Sequence, residues 1–233
     1  MKRIIIYLIL LSICFVGFKK AEQKQKKNPY RLDLVSDINV YKEQVAKNPK
    51  MKLINLEKHI KDIRLDIRYA TNNNFTKQII YNLPRAFARQ EVANALKLIQ
   101  DSLAFYNLGI KIYDAYRPYE ASLRFFEVYP DTNFVANPRY GSRHNRGCAI
   151  DLTLVELKTG KEIPMPTEFD DFSEKANPNY KNLSDTIIKN RTFLFSIMNH
   201  FGFSYYASEW WHFDYKGWNS YPLMDIKFEE LEP

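Results

Sequence analysis

The 233-residue chain has four histidines, His59, His144, His200 and His212. His144 lies in Gly141-Ser142-Arg143-His144-Asn145-Arg146-Gly147, seven residues before Asp151. His212 closes the segment Ser208-Glu209-Trp210-Trp211-His212. Two imidazoles and one carboxylate suit a catalytic zinc centre that keeps a fourth position open for water. Glu209 and His212 stand three apart, so one of the two can bind metal while the other faces the metal-bound water. Spacing alone does not decide this, because a His-x6-Asp pair is common by chance and an exposed Asp is usually only solvated. His59 ends a charged stretch and His200 closes a helix, where a histidine suits the carbonyl end, so both read as structural. Arg117 before Pro118 reads equally as a turn or an ion-pair residue. Trp210 and Trp211 read as packing, and Cys148 as a small core residue.

The elements that must position these groups are legible in the pattern. Ile63, Leu65, Ile67 and Tyr69 alternate with charged residues, which predicts a half-buried strand. Val92, Leu96, Ile99, Leu103 and Tyr106 recur at helical spacing, with Gly109 as a stop. Ile110–Tyr113 reads as a strand that runs into Asp114-Ala115-Tyr116-Arg117-Pro118, and Tyr119–Val128 as a second helix. Residues 130–147 read as loop, and Ala149–Val155 as a strand followed by a turn at Thr159-Gly160-Lys161. On that strand Asp151 shares a face with Ala149 and Thr153, the more polar face, while Ile150, Leu152 and Leu154 point into the core. His144 must then fold back from the loop, which Gly147 permits. Residues 164–184 are rich in Pro, Asn and Asp and read as a long loop bordering a site. Ile187, Arg191, Leu194, Ile197, Met198 and Phe201 give a third helix, ended by Gly202. Phe203–Tyr206 and Trp211–Tyr215 are the last strands, and Glu209 precedes the strand that His212 enters. The expected class is α+β, a single domain with a mainly antiparallel sheet flanked by helices.

Apolar residues make up 45% and charged residues 26% of the chain, which is ordinary for a globular protein and excludes disorder as the main state. The net charge of +7 is concentrated at the start. Residues 1–27 hold seven basic residues and one acid, so the rest carries only +1. That balance does not support nucleic-acid binding. Lys2 and Arg3 precede Ile4–Phe18, a fifteen-residue apolar run, shorter than the roughly 20 residues of a membrane span. Residues 1–20 are therefore expected to be a signal peptide or a short anchor, with Cys14 a faint match to a lipoprotein box. Residues 21–50 are expected to be a linker or irregular N-terminal arm. The protein is then exported, to a bacterial periplasm or cell envelope, and meets membrane only through that anchor or a lipid. With Cys148 alone in the body there is no internal disulfide framework. Nothing in the pattern sets an oligomeric state.

Taken together, Ser142-x-His144-x-x-Gly147-x-Ala149-x-Asp151-Leu152 and Glu209-x-x-His212 resemble the zinc D-alanyl-D-alanine peptidases of bacterial cell-wall metabolism. The resemblance is closest to the VanX-type D-alanyl-D-alanine dipeptidases. Arg68-Tyr69-Ala70-Thr71 with Asn74-Phe75, Asp114-Ala115-Tyr116-Arg117-Pro118, Ser142 to Leu154 and Glu209-Trp210-Trp211-His212 match that branch in order, over residues 60–215. The family's Asp-Gly-Tyr-Arg-Pro reads Asp-Ala-Tyr-Arg-Pro here. The resemblance implies the zinc D-Ala-D-Ala peptidase (hedgehog-like) fold over residues 51–233, and one Zn2+ held by His144, Asp151 and His212. It implies Glu209 as catalytic base, Arg117 as stabiliser of the transition state, and Ser142 and Tyr69 as lining for a small dipeptide substrate. The implied reaction is hydrolysis of D-alanyl-D-alanine to two D-alanines. Asp170 and Asp171, on the long loop, are placed to offer a wall or a negative charge near the substrate ammonium. The alternatives are a D,D- or L,D-carboxypeptidase that trims longer peptidoglycan peptides, and a non-catalytic zinc module. The second would be expected to lack Glu209 or Arg117, and both are present.

Overall fold

The structure, a computed structural model, describes residues 28–232. The expected signal peptide or anchor at 1–20 lies outside the described residues. Residues 1–33 and 34–233 form separate units. Of the first, the described part is a short turn in which the Asn28 side chain bonds both the amide and the carbonyl of Leu32.

The second unit begins earlier than the sequence pattern suggests. Residues 34–50 are not an irregular arm. They carry β1 (Leu34–Val35) and α1 (Ile38–Lys47), the helix capped by the Asp37 carboxylate on the Asn39 amide. Tyr41 is the reason this stretch orders. It is buried, and its hydroxyl accepts the Leu53 amide at 2.7 Å. β1 also pairs in parallel with β9 (Leu223–Met224).

Next come β2 (Leu53–Asn55), α2 (Leu56–His59), β3 (Arg64–Leu65) and β4 (Phe87–Arg89), with β2 and β4 an antiparallel pair. The strand expected over 63–69 is only two residues long. After the Asp66 amide bonds Ile112 the chain turns into a 3-10 segment, Arg68–Ala70, which buries Tyr69. α3 (Gln90–Ala104) buries Val92, Leu96, Ile99 and Leu103 along one face. Its stop differs from expectation. Tyr106 lies beyond the helix and is exposed, and the left-handed residue of the turn is Asn107 (φ 57°). Gly109 sits inside β5, where a Cβ would come within 3.1 Å of the Gln100 side chain.

The central sheet has five strands in the order β3, β5 (Leu108–Asp114), β6 (Ala149–Glu156), β8 (His212–Tyr215) and β7 (Phe203–Tyr205). β3 and β5 are parallel and the other pairings are antiparallel. α4 (Tyr119–Val128), α5 (Asp185–His200) and the short α6 (Phe228–Leu231) complete the unit. α3 packs on β5, and α5 on β7. The mixed architecture, the helices at 119–128 and 185–200 and the 164–184 loop follow the sequence reading.

Strand β6 departs from it in one respect. Its face bearing Ala149, Asp151 and Thr153 is as buried as the other. The long loop lies over that face. Phe169 stacks on Tyr113 at 4.5 Å, and the Trp210 indole donates to Thr167 at 2.9 Å. Asp151 is therefore a buried acid.

Between the last loop residues and β6 stands Gly147, at φ +71°, where a Cβ would meet Leu53 Cδ2 at only 2.7 Å. A side chain there costs the left-handed penalty and also collides. Gly217, at φ +78°, has nothing within 4 Å. We expect Gly217→Ala to cost about 1–2 kcal/mol, the conformational penalty alone. Gly147→Ala should cost more, about 2–4 kcal/mol. Urea denaturation of both variants checks this, and equal losses would show that Leu53 yields freely.

Candidate active site

Backbone register assembles the site. In the sheet Asp151 pairs with Asp114 of β5 on one side and with His212 of β8 on the other. A bulge between Ile112 and Asp114 brings Asp114 into line. His144 opens a 3-10 turn, His144–Arg146, closed by left-handed Gly147. The buried Arg89 braces this turn. Its amide donates to the Gly147 carbonyl at 2.9 Å and its Nε to the Arg146 carbonyl at 2.7 Å. The Arg117 amide donates to the His144 carbonyl at 3.1 Å.

His144 Nδ1 lies 2.7 Å from the Ala115 carbonyl, so Nε2 is the nitrogen turned to the cavity. There it lies 3.2 Å from His212 Nδ1 and 3.4 Å from Asp151 Oδ2. His212 Nδ1 is 3.0 Å from Asp151 Oδ1, yet that oxygen is buried with no aligned hydrogen-bond donor. A tetrahedral zinc with ligand bonds of about 2.0–2.1 Å has edges of roughly 3.3 Å. The three donor separations match that edge, and an orphaned carboxylate oxygen faces the same point. The residues fit a metal. Among the described residues this is the one cluster of His, Cys, Asp and Glu able to hold an ion.

Around it is a cavity of about 340 Å³. All seven residues singled out from the sequence line it: Tyr69, Arg117, Ser142, His144, Asp151, Glu209 and His212. Phe75, Phe125, Phe134 and Phe172 supply apolar wall. His59 and His200 are structural, as their sequence positions suggest: His59 pairs with Asn94 at the surface and His200 ends α5. Cys148, Trp210 and Trp211 are buried in the core.

Charge sets the character of this space. Burial opposes ionisation of Asp151, but the His144 and His212 rings hold its carboxyl well below the usual range. Burial pushes the Glu209 carboxyl up to about 8, and the nearby Asp151 and Asp170 add to the shift. Its Oε2 lies 3.8 Å from His212 Nδ1. Arg117 is held rigidly. Asp114 Oδ2 accepts from its Nε at 2.9 Å and from Nη2 at 2.8 Å, and the Phe125 ring lies 4.6 Å from the guanidinium. Nη2 also stands 3.8 Å from Asp151 Oδ2. Ser142 is fixed by exchange with Asn145: its amide donates to Asn145 Oδ1 at 2.8 Å and its hydroxyl accepts the Asn145 amide at 3.2 Å.

Three contributors escaped the sequence reading or were only grazed by it. Asp114 opens the Asp-Ala-Tyr-Arg-Pro motif; it anchors Arg117 while accepting from the Tyr81 hydroxyl at 3.0 Å. Asn145, fully buried, donates to the Arg117 carbonyl and to Ser122. Asp170 is the third. Tyr69 donates to its Oδ1 at 3.0 Å, while its Oδ2 is buried and unpartnered. Burial pushes the Asp170 carboxyl up to about 7. Its left-handed backbone (φ 63°) is a feature that no residue pattern carries. Asp171 does not line the cavity; its carboxylate caps the Ser173 amide instead.

The family model for D-ala-D-ala dipeptidase matches residues 49–229. The D-alanyl-D-alanine dipeptidase of Escherichia coli (strain K12) is 33% identical over 177 residues, 76% of this chain and 91% of that protein. The D-alanyl-D-alanine dipeptidase of Enterococcus faecium is 32% identical over 178 residues, 68% of this chain and 88% of that one. A solved vancomycin-resistance D,D-pentapeptidase with Zn(II) superposes loosely, with a TM-score of 0.37 and 16% identity over 57% of this chain and 75% of that chain.

The geometry predicts one zinc per chain in the wild type. His212→Ala should lower the bound zinc severalfold after dialysis, measured by elemental analysis. Undiminished zinc in that variant would remove His212 from the ligand set.

Proposed function

We propose that this chain, which belongs to the D-alanyl-D-alanine dipeptidase family, hydrolyses free D-alanyl-D-alanine to two D-alanines in cell-wall metabolism, with His144, Asp151 and His212 holding its zinc. The observation that carries the residue assignment is the convergence of three metal donors, a buried carboxyl and a fixed guanidinium on one small cavity. A bound zinc would polarise the scissile carbonyl and make water a stronger acid.

The chain's own groups do the rest. Glu209 is a carboxyl whose proton affinity is raised toward working pH, the range in which a general acid-base group is most effective. It takes the proton of the attacking water and returns it to the leaving nitrogen as the C–N bond breaks. Arg117 cannot swing, because Asp114 and the Phe125 ring hold it, so its charge is in place before negative charge develops on the carbonyl oxygen. Asp170 presents an unpartnered, buried carboxylate oxygen to the cavity. Such a group calls for a cation, and the free ammonium of a dipeptide supplies one. Ser142, with its amide and hydroxyl engaged by Asn145, offers its hydroxyl to the other end.

Two measurements test this. Glu209→Gln should keep zinc and lower kcat by about 10²–10⁴-fold; a variant with near wild-type kcat would exclude Glu209 as the base. Free D-Ala-D-Ala should be cleaved with a kcat/KM at least tenfold above that of its N-acetyl form and of tripeptides ending in D-Ala-D-Ala. Equal rates on the longer substrates would favour the carboxypeptidase reading.

Asp170 yields a further expectation with a definite sign. Its folded-state carboxyl sits at about 7, above the unfolded value of about 3.9. The folded chain therefore binds the extra proton between those values, and Asp170 contributes stability at low pH that is lost as pH rises toward 7. At pH 8 the zinc-free Asp170→Asn variant should be more stable than wild type by roughly 1–3 kcal/mol. It should also lose at least tenfold in kcat/KM on the free dipeptide. Urea curves and steady-state kinetics read the two effects, and a variant that is no more stable and fully active would refute both.

A further inference from the structure

His212 is approached from both ring nitrogens. Nδ1 faces Asp151 and His144, as described above. Nε2, on the opposite side of the ring, lies 3.0 Å from Asp214 Oδ1. His212 and Asp214 are two residues apart on β8, so their side chains leave the same face of the strand. The second carboxylate oxygen, Asp214 Oδ2, lies 3.3 Å from Arg143 Nη1. Arg143 is itself held between rings, 4.9 Å from the centre of Trp218 and 5.9 Å from that of Tyr206. The Tyr206 ring stands 5.3 Å from the His212 ring.

A neutral imidazole that offers Nδ1 to a metal carries its proton on Nε2, and an acceptor at Nε2 selects that tautomer and fixes the ring plane. Asp214 is such an acceptor. With Arg143 occupying Oδ2, the oxygen left to His212 is Oδ1. Arg143 immediately precedes His144, so one turn supplies a metal ligand and also braces the carboxylate that aims a second ligand from another strand.

We propose that Asp214, steadied by Arg143, is a positioning residue that sets the tautomer and orientation of His212 and thereby the affinity for zinc. This rests on the reading of His212 as a ligand and adds what makes its Nδ1 available. A carboxylate that merely neutralised Arg143 would leave zinc binding unchanged when removed.

The test uses the full chain and four variants: Asp214→Ala, Asp214→Asn, Arg143→Met and His212→Ala. Zinc affinity is measured by competition with a chromogenic chelator, and the stability of the zinc-free proteins by urea denaturation. Removal of an outer partner of a metal-bound histidine typically costs about 10–100-fold in metal affinity, and that loss is expected for Asp214→Ala. Asp214→Asn keeps an oxygen that accepts from Nε2–H and should recover most of the affinity. Arg143→Met should fall between. In the zinc-loaded wild type, long-range 1H–15N spectra should show His212 protonated at Nε2. If Asp214→Ala binds zinc within twofold of wild type while His212→Ala does not, this inference is overturned and the ligand assignment stands. If His212→Ala also keeps full affinity, the ligand assignment fails and takes this inference with it. If Asp214→Ala does not fold, Asp214→Asn and the His212 tautomer decide: a proton on Nδ1 overturns the proposal.

Discussion

Register in β6 is the constraint on which the site depends. Asp151 sits at one level of the sheet with Asp114 on one neighbour and His212 on the other. A slip of one residue would turn all of β6's side chains over, sending Asp151 into the packing of Ile150 and Leu152. The bulge before Asp114 matters for the same reason. It carries Asp114, and three residues later Arg117, to the level of Asp151. Sheet pairing thus delivers a metal donor, a second donor and the anchor of a fixed cation in a single line, and the turn at His144 closes the arrangement from above.

That turn is held by unusual means. Arg89 is fully buried and has no carboxylate partner among the described residues. Its guanidinium donates instead to the carbonyls of Met51, Arg146 and Pro222, and lies 5.0 Å from the Tyr221 ring. A buried charge is costly unless its donors are all engaged. Here the engagement ties two other stretches of backbone, at Met51 and Pro222, to the loop that presents His144, converting a polar loop into a rigid support.

The cavity is also electrostatically incomplete as a protein. Asp114, Asp151 and Glu209 are buried around it, Asp170 is half-buried with its Oδ2 turned inward, and Arg117 is the fixed cation among them. Burial raises the carboxyls of Glu209 and Asp170, which means that the folded chain alone resists the full set of charges. On the function proposed above, two cations would relieve this: a metal among His144, Asp151 and His212, and an ammonium at Asp170. Binding sites that store such tension are less stable than they could be, a common trade of stability against function. The same features suit a small zwitterion: the cavity holds paired demands of opposite sign at close range.

From residue order alone, the α+β class, the helices at 90–104, 119–128 and 185–200, and seven residues that line the cavity could be read. Periodicity reports helices because a buried face recurs at a fixed interval, and the candidate metal and base residues lie in two short motifs whose order carries the family. Tertiary structure decided the rest. The two-residue β3 and the turn that buries Tyr69 depend on when the ladder with β5 ends. The burial of Asp151 depends on Phe169 and Thr167, which reach over the sheet from a loop with no periodic signal. Asp114, Asn145, Asp170 and Asp214 gain their roles from partners between 2 and 101 residues away. The type of a residue shows what chemistry it can do. The direction in which its lone pairs point, and how little water surrounds them, is a property of the folded neighbourhood.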